Sequence, residues 1–299
     1  MPVTQTLVTL TSRDGLEHDA VLHRDERAAR HRERISKRRV AVVHAHGIMG
    51  NFLVGTLRFL PPRLARAGYP VMVTDTRMGN VGQLFGDALW EPSLLDLQST
   101  CTWLRAQGYD RLVLSGYSSG ATLATLMAAT RPPIGLCGLI SLGGPWGLPQ
   151  AMRERAQRFG ADPPYATLAD RMREVAGMPA DAQRSADRVF VVERSRGPTR
   201  QPKDAEVYTA RTWWQSRGPE AYGAMAFRQV GQVKAPLLLL QGSSDRVVKP
   251  KEASNLARIA RHAGNTDVEL VTIDGVGHDF AGGEIAVVDA ITEWLGRRD

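Results

Sequence analysis

Three residues far apart in this 299-residue chain, Ser118, Asp245 and His278, are of the types that nucleophilic acyl chemistry needs. A serine hydroxyl is a weak nucleophile at neutral pH, so it requires a base within hydrogen-bond reach and a third group that orients the base. Ser118 is the centre of Gly116-Tyr117-Ser118-Ser119-Gly120, a Gly-x-Ser-x-Gly pentapeptide. Such a pentapeptide recurs by chance in glycine-rich loops. It carries meaning where a strand precedes it and a helix follows, because the sharp turn between them strains the serine and lets the glycines pack closely. Here Leu112-Val113-Leu114 reads as a strand and residues 121–130 as a helix that Pro132 and Pro133 stop. The hydroxyl would stand at the top of a sheet, beside a helix N-terminus whose free N–H groups favour developing negative charge. Ser119 falls one residue past the apex.

The acid and the base need the same kind of placement. Gln241-Gly242-Ser243-Ser244-Asp245 follows an apolar run at 237–240, and Asp274-Gly275-Val276-Gly277-His278 follows a strand pattern at 268–273. Parallel strands put all their carboxyl ends at one edge of a sheet, so the three residues can converge there. Asp245 could instead cap the turn before the next helix. Asp279 neighbours His278, but adjacent side chains point apart, and residues 142–146 offer no carboxylate after the strand at 136–142.

In chain order, residues 3–10 alternate apolar and polar, and 18–23 read as an antiparallel return strand. Residues 24–39 are rich in arginine and read as a solvated connection between two early strands. A β-branched run at 40–43 ends in His44-Ala45-His46-Gly47-Ile48-Met49-Gly50. A short helix at 61–67, a strand at 71–73, a glycine-rich loop at 78–86 and a helix at 91–107 follow. The strand–helix alternation stops over 146–234 and resumes at 237, with a helix opening at Pro250 and a last helix whose Val287, Val288, Ile291, Trp294 and Leu295 share one face. The pattern predicts an α/β core formed by residues 1–145 and 235–299, with a mostly parallel sheet, interrupted by an inserted cap at 146–234.

Hydrophobic residues make up 43% and charged residues 23% of the chain, an ordinary globular balance. No apolar run approaches the ~18 residues of a membrane span, and the first ten residues lack a signal-peptide pattern, so a cytoplasmic protein with no membrane partner is expected. The net charge of +7 is concentrated in residues 24–39. Without interleaved stacking aromatics it does not predict a nucleic-acid partner. Cys101 and Cys137 read as isolated core thiols. His44 and His46 invite a metal reading by their spacing, but they end a buried strand and lack a third ligand, so neither metal nor cofactor is expected.

Four motifs in this order, His46-Gly47, Gly116 to Gly120, Gly242 to Asp245 and Gly277-His278, resemble those of the α/β-hydrolase fold enzymes. The resemblance spans nearly the whole chain and implies that fold, with a mainly helical cap. It implies that Ser118 is the nucleophile, His278 the general base and then acid, and Asp245 the orienting carboxylate. It also implies an oxyanion hole from the backbone N–H groups of Ile48 and Ser119. Tyr117 and Ser119 stand where family members often carry His and Met, Leu or Gln. Caps in this family decide substrate; here His46, Trp146, Trp213 and Trp214 are candidates for substrate contact, although the tryptophans could equally pack a core. Arginines at 153, 155, 158, 171, 173, 194, 196, 200, 211 and 217, interleaved with acids, read as a salt-bridged surface. The expected substrate is a small carboxylic ester or thioester. The same triad also serves acyltransferases, lactonases, C–C bond hydrolases and perhydrolases, and a catalytically silent binding protein is the remaining alternative.

Overall fold

Alternation in the first two segments gives a hairpin, β1 (Thr4–Thr11) and β2 (Glu17–Arg24), at one edge of an eight-stranded sheet. The computed structural model describes residues 2–47, 50–53, 57–78, 88–195 and 203–298. After β2 come α1 (Glu26–Ser36), β3 (Val40–Ala45), α2 (Leu60–Arg66), β4 (Val71–Thr74), α3 (Ser93–Ala106), β5 (Arg111–Tyr117), α4 (Ser119–Thr130) and β6 (Leu136–Leu142). The order across the sheet is β1-β2-β4-β3-β5-β6, continued by β10 (Leu237–Gly242) and β11 (Val268–Ile273). The two contacts made by β2 are antiparallel and every other pairing is parallel. The apolar runs of β3, β4 and β10 are buried at every residue, as strands covered on both faces must be.

Helices supply that cover. On one face Leu94, Leu97, Leu123, Met127 and Leu256 close over the sheet from α3, α4 and α10 (Pro250–His262). On the other, Leu60, Leu64, Ile291 and Trp294 do so from α2 and α11 (Glu284–Gly296). Just past β4, the buried Arg77 guanidinium lies 2.7 Å from Asp96 of α3 and 2.7 Å from Asp14 in the β1–β2 turn. This network ties the carboxyl end of β4 to its neighbours. Cys101 is buried and Cys137 half-buried, and both are free thiols.

The arginine-rich connection between β2 and β3 is a helix, not an irregular link. Asp25 caps α1 by accepting from the N–H groups of Arg27 and Ala28, and Arg, Glu and Ala are good helix formers. One small residue, Ala29, is buried, and Arg32 lies 4.0 Å over the Tyr69 ring. Apart from Met78, the expected glycine-rich loop lies outside the described residues.

Between β6 and β10 the chain forms α5 (Leu148–Phe159), β7 (Ala161–Asp162), α6 (Tyr165–Ala176), α7 (Ala180–Ala186), β8 (Val189–Ser195), β9 (Lys203–Thr209), α8 (Ala210–Arg217) and α9 (Ala226–Gln229). The segment is mainly helical but also contains an antiparallel sheet, β7-β8-β9, that the sequence reading does not contain. Met152, Leu168, Met172, Val192, Tyr208 and Trp213 form a core of its own. Its second half returns to the main core through Ala221, Ala224, Ala226 and Val230. No helix among the described residues is long and apolar enough to cross a membrane.

Candidate active site

The turn from β5 into α4 sets the geometry. Ser118 has φ 53° and ψ −122°, a conformation that costs an L-residue energy and persists only where its surroundings enforce it. They do so through two glycines. A β-carbon on Gly116 would stand 2.2 Å from the carbonyl oxygen of Gly120, and one on Gly120 would stand 2.2 Å from the carbonyl oxygen of His46. The elbow is thus closed on itself and pressed against the end of β3.

The loops after β10 and β11 bring the other two groups to it. His278 Nε2 lies 3.0 Å from Ser118 Oγ, and its Nδ1 lies 2.8 Å from Asp245 Oδ2. A carboxylate can only accept, so Nδ1–H donates to Asp245, which leaves Nε2 to accept the Ser118 O–H. The Asp245 side chain is fully buried and that of His278 is 15% exposed, so one end of the chain is dry and the other is reachable. Asp245 Oδ1 accepts from the N–H groups of Val247 and Val248, each at 2.8 Å, and Oδ2 also accepts from Gln241 Nε2 at 2.8 Å. Asp245 therefore caps its turn as well as meeting His278. Burial works to raise its pKa, but the hydrogen bond and charge of His278, with the two N–H donors, outweigh it and hold the carboxyl below its ordinary value. An arrangement of this kind can draw a proton from a serine while holding the resulting imidazolium.

Two contributors escape motif reading. Gln241 fixes the carboxylate, and Tyr117 packs its ring on His278 with centroids 5.1 Å apart. Only the position of Gln241 inside the Gly-x-x-Asp loop, four residues before the acid, hinted at the first.

Beside the serine, Ser119 opens α4 and is buried. The first N–H groups of a helix have no partner within it and point at anything placed before it. His46 lines a cavity together with Ser119. Burial, with His44 next to it, pushes the His46 imidazole down to about 3, so it is neutral near pH 7, and its Nε2 has no partner among the described residues. His44 instead pairs with Ser115 Oγ at 3.0 Å. Among the described residues no cluster of three or more His, Cys, Asp or Glu could hold a metal.

Ile48, the other expected oxyanion donor, lies outside the described residues. The tryptophans are dispersed. Trp146 stacks on Phe227 at 4.8 Å, and its backbone N–H donates to the Glu252 carboxylate. Trp213 is completely buried against Tyr165, and Trp214 packs on the same cluster. The expectation that Trp213 walls an acyl pocket is corrected: its ring fills the core of the 146–234 segment and presents no surface to a substrate.

A family model described as serine aminopeptidase, S33, matches residues 36–284. The chain belongs to that family of α/β-hydrolases. Its fold matches an esterase of Pyrococcus furiosus with a TM-score of 0.63 at 17% identity, over 99% of this chain and 92% of the other. Est1E from Butyrivibrio proteoclasticus superposes with a TM-score of 0.63 at 14% identity, over 100% and 99%. Carboxyl esterase 2 from the mycorrhizal fungus Tuber melanosporum does so with 0.63 at 13%, over 100% and 88%. At such identities the likeness establishes the architecture alone. No curated protein matches the sequence significantly.

Proposed function

We propose that this α/β-hydrolase cleaves a carboxylic ester or thioester through an acyl-enzyme, with Ser118, His278 and Asp245 as its triad. The observation that carries the reading is the continuous hydrogen-bonded chain from Ser118 Oγ through His278 to the buried Asp245.

Ser118 Oγ attacks the carbonyl carbon as its proton passes to His278 Nε2, and Asp245 stabilises the imidazolium. The carbonyl oxygen becomes an oxyanion received by the N–H of Ser119 and, as the family resemblance implies, by that of Ile48. One such donor is worth roughly 3 kcal/mol in other serine hydrolases. Collapse of the intermediate breaks the bond to the leaving oxygen or sulfur, which takes the proton from Nε2–H. Water then attacks the acyl-enzyme while Nε2 accepts its proton. The second collapse returns a proton to Ser118 Oγ and releases the acid. Residues 146–234 act as the cap, and the esterase neighbours favour an ester over other acyl substrates.

Turnover of short-chain methyl esters by wild type and by Ser118→Ala tests the reading, with free acid as the measured product. Loss of at least ~10⁴-fold in kcat is expected. Turnover by Ser118→Ala near the wild-type rate would refute it. Addition of an alcohol acceptor separates hydrolysis from transfer, since a transferase would make the new ester instead of the acid.

A further inference from the structure

Strand polarity gives the sheet two unlike edges. The carboxyl ends lead to Ser118, Asp245 and His278, whereas the amino ends of β5, β6 and β10 begin at Arg111, Leu136 and Leu237. The turn at Asp110 ties α1 to this second edge. Asp110 Oδ1 accepts from the backbone N–H of Arg39 at 2.7 Å, and its Oδ2 lies 3.4 Å from Arg38 Nη1. On its other side the Asp110 carbonyl meets the connection from α4 to β6, where a β-carbon on Gly135 would stand 2.4 Å from it. The end of α1 and residues 131–135 therefore flank one corner.

That corner carries the two most exposed large apolar side chains among the described residues, Ile134 at 79% and Ile35 at 70%. Close to both in the chain, Arg38 and Pro133 line an open hollow of about 900 Å³ together with Arg111 and Lys234. Arg34, Lys37, Arg131 and Lys234 are exposed and make no ion pair among the described residues. The acids of this edge are already engaged, Asp110 with Arg38, Glu33 with Arg24 and Arg39, and Asp267 with Arg298. The edge thus offers positive charge that no neighbouring carboxylate cancels.

An exposed isoleucine alone is ordinary, and so is an exposed arginine. Together they match a surface that is anionic outside and apolar just beneath, because headgroup phosphates attract the cations while the isoleucines enter the acyl boundary. A nucleic acid would satisfy only the cations, and no aromatic side chain lines the hollow for bases to stack on. A protein partner would need a contiguous apolar centre, whereas these two isoleucines stand on either side of the Asp110 turn.

We propose that this edge docks on a bilayer surface rich in anionic phospholipid, with Ile35 and Ile134 entering the headgroup boundary. Docking of this kind needs no spanning helix. The seven residues of β5, at roughly 3.3 Å each, hold Ser118 on the order of 20 Å from the docked edge, with the catalytic edge facing away. The proposal stands apart from the ester-hydrolase reading and survives its failure.

Co-flotation with vesicles tests it, at about 0.1 M salt, where exposed charges act over ~10 Å. Wild type should bind equimolar phosphatidylglycerol and phosphatidylcholine at least about tenfold more tightly than phosphatidylcholine alone. Equal partition onto the two overturns the proposal, whether or not any variant folds. The triple variant Arg34→Glu, Arg131→Glu, Lys234→Glu should lose about hundredfold in affinity for the anionic vesicles. The double variant Ile35→Ser, Ile134→Ser should lose about threefold or more, since it keeps the cations but has nothing to insert. All five side chains are exposed, and urea unfolding confirms that both variants are folded. Folded variants that bind as wild type does would place the contact elsewhere and overturn the proposal. A short DNA duplex is the competing probe. Binding to it that is tighter than to the vesicles, lost in the triple variant and unchanged in the double one, would overturn the lipid surface in favour of a nucleic acid.

Discussion

Gly120 lies so close to the end of β3 that a β-carbon added to it would stand 2.2 Å from the carbonyl oxygen of His46. The start of the helix behind the serine and the strand end that leads into residues 47–50 are therefore one rigid unit. Position 120 has no room for a methyl group because its neighbours there are backbone atoms, which cannot rotate away.

Gly120→Ala should separate the two. Either β3 or α4 must shift, at a cost of roughly 1–3 kcal/mol or more, and the donors at the start of α4 move with it. The expected outcome is a lower melting temperature with an approximately hundredfold loss in kcat. A fully active, fully stable Gly120→Ala would show that the close approach does not matter.

Asp245→Asn should separate charge from shape. Asn can still accept from the N–H groups of Val247 and Val248, so the turn survives. It no longer enforces the tautomer in which Nδ1 of His278 carries the proton, and a loss of order ~10⁴ in kcat is expected by analogy with other triads. The stability consequence has a defined pH window. A carboxyl held below its ordinary 3.8 stabilises the fold above that value, and this contribution disappears as pH falls through the folded value. Urea midpoints should show wild type ahead of Asp245→Asn above about pH 5, with the gap closing below pH 4. A gap that widened on acidification would contradict the sign.

His44 gives a second, separate acid response. It is buried beside Ser115, and burial pushes its imidazole from 6.5 down to about 4. A histidine that must stay neutral in the fold costs stability as pH falls below 6.5, because the unfolded chain takes up the proton first. The loss reaches roughly 3 kcal/mol by pH 4. Denaturant unfolding between pH 7 and pH 4 should show this slope in wild type and a shallower one in His44→Gln. Equal slopes would place the acid sensitivity elsewhere.

The convergence proposed as a triad was legible because each member sits just past a strand, where the run of apolar residues ends in a short loop with a recognisable glycine. The order of Ser118, Asp245 and His278, together with parallel strands, left little freedom in where they could meet. The helical state of α1 was obscured because its signal is propensity and a cap at Asp25, with almost no apolar face. Charge dominated the pattern, although the structure uses that charge partly for packing, as Arg32 on Tyr69 shows. The β7-β8-β9 sheet was hidden for a different reason. Val189, Val191 and Val207 are exposed while Val192 and Tyr208 are buried, so the alternation exists but is broken up by charged neighbours. Arg217 was invisible by construction. In sequence it is one of twelve arginines between 153 and 217, and only packing sets it apart as buried.

Intact mass after exposure to a fluorophosphonate tests the activation of Ser118 most directly, because the reagent reports a nucleophilic serine without requiring the right substrate. Wild type should gain the mass of one phosphonyl group, and Ser118→Ala should gain none. Folded wild type that remains unlabelled, or a Ser118→Ala variant that labels equally, would contradict the triad.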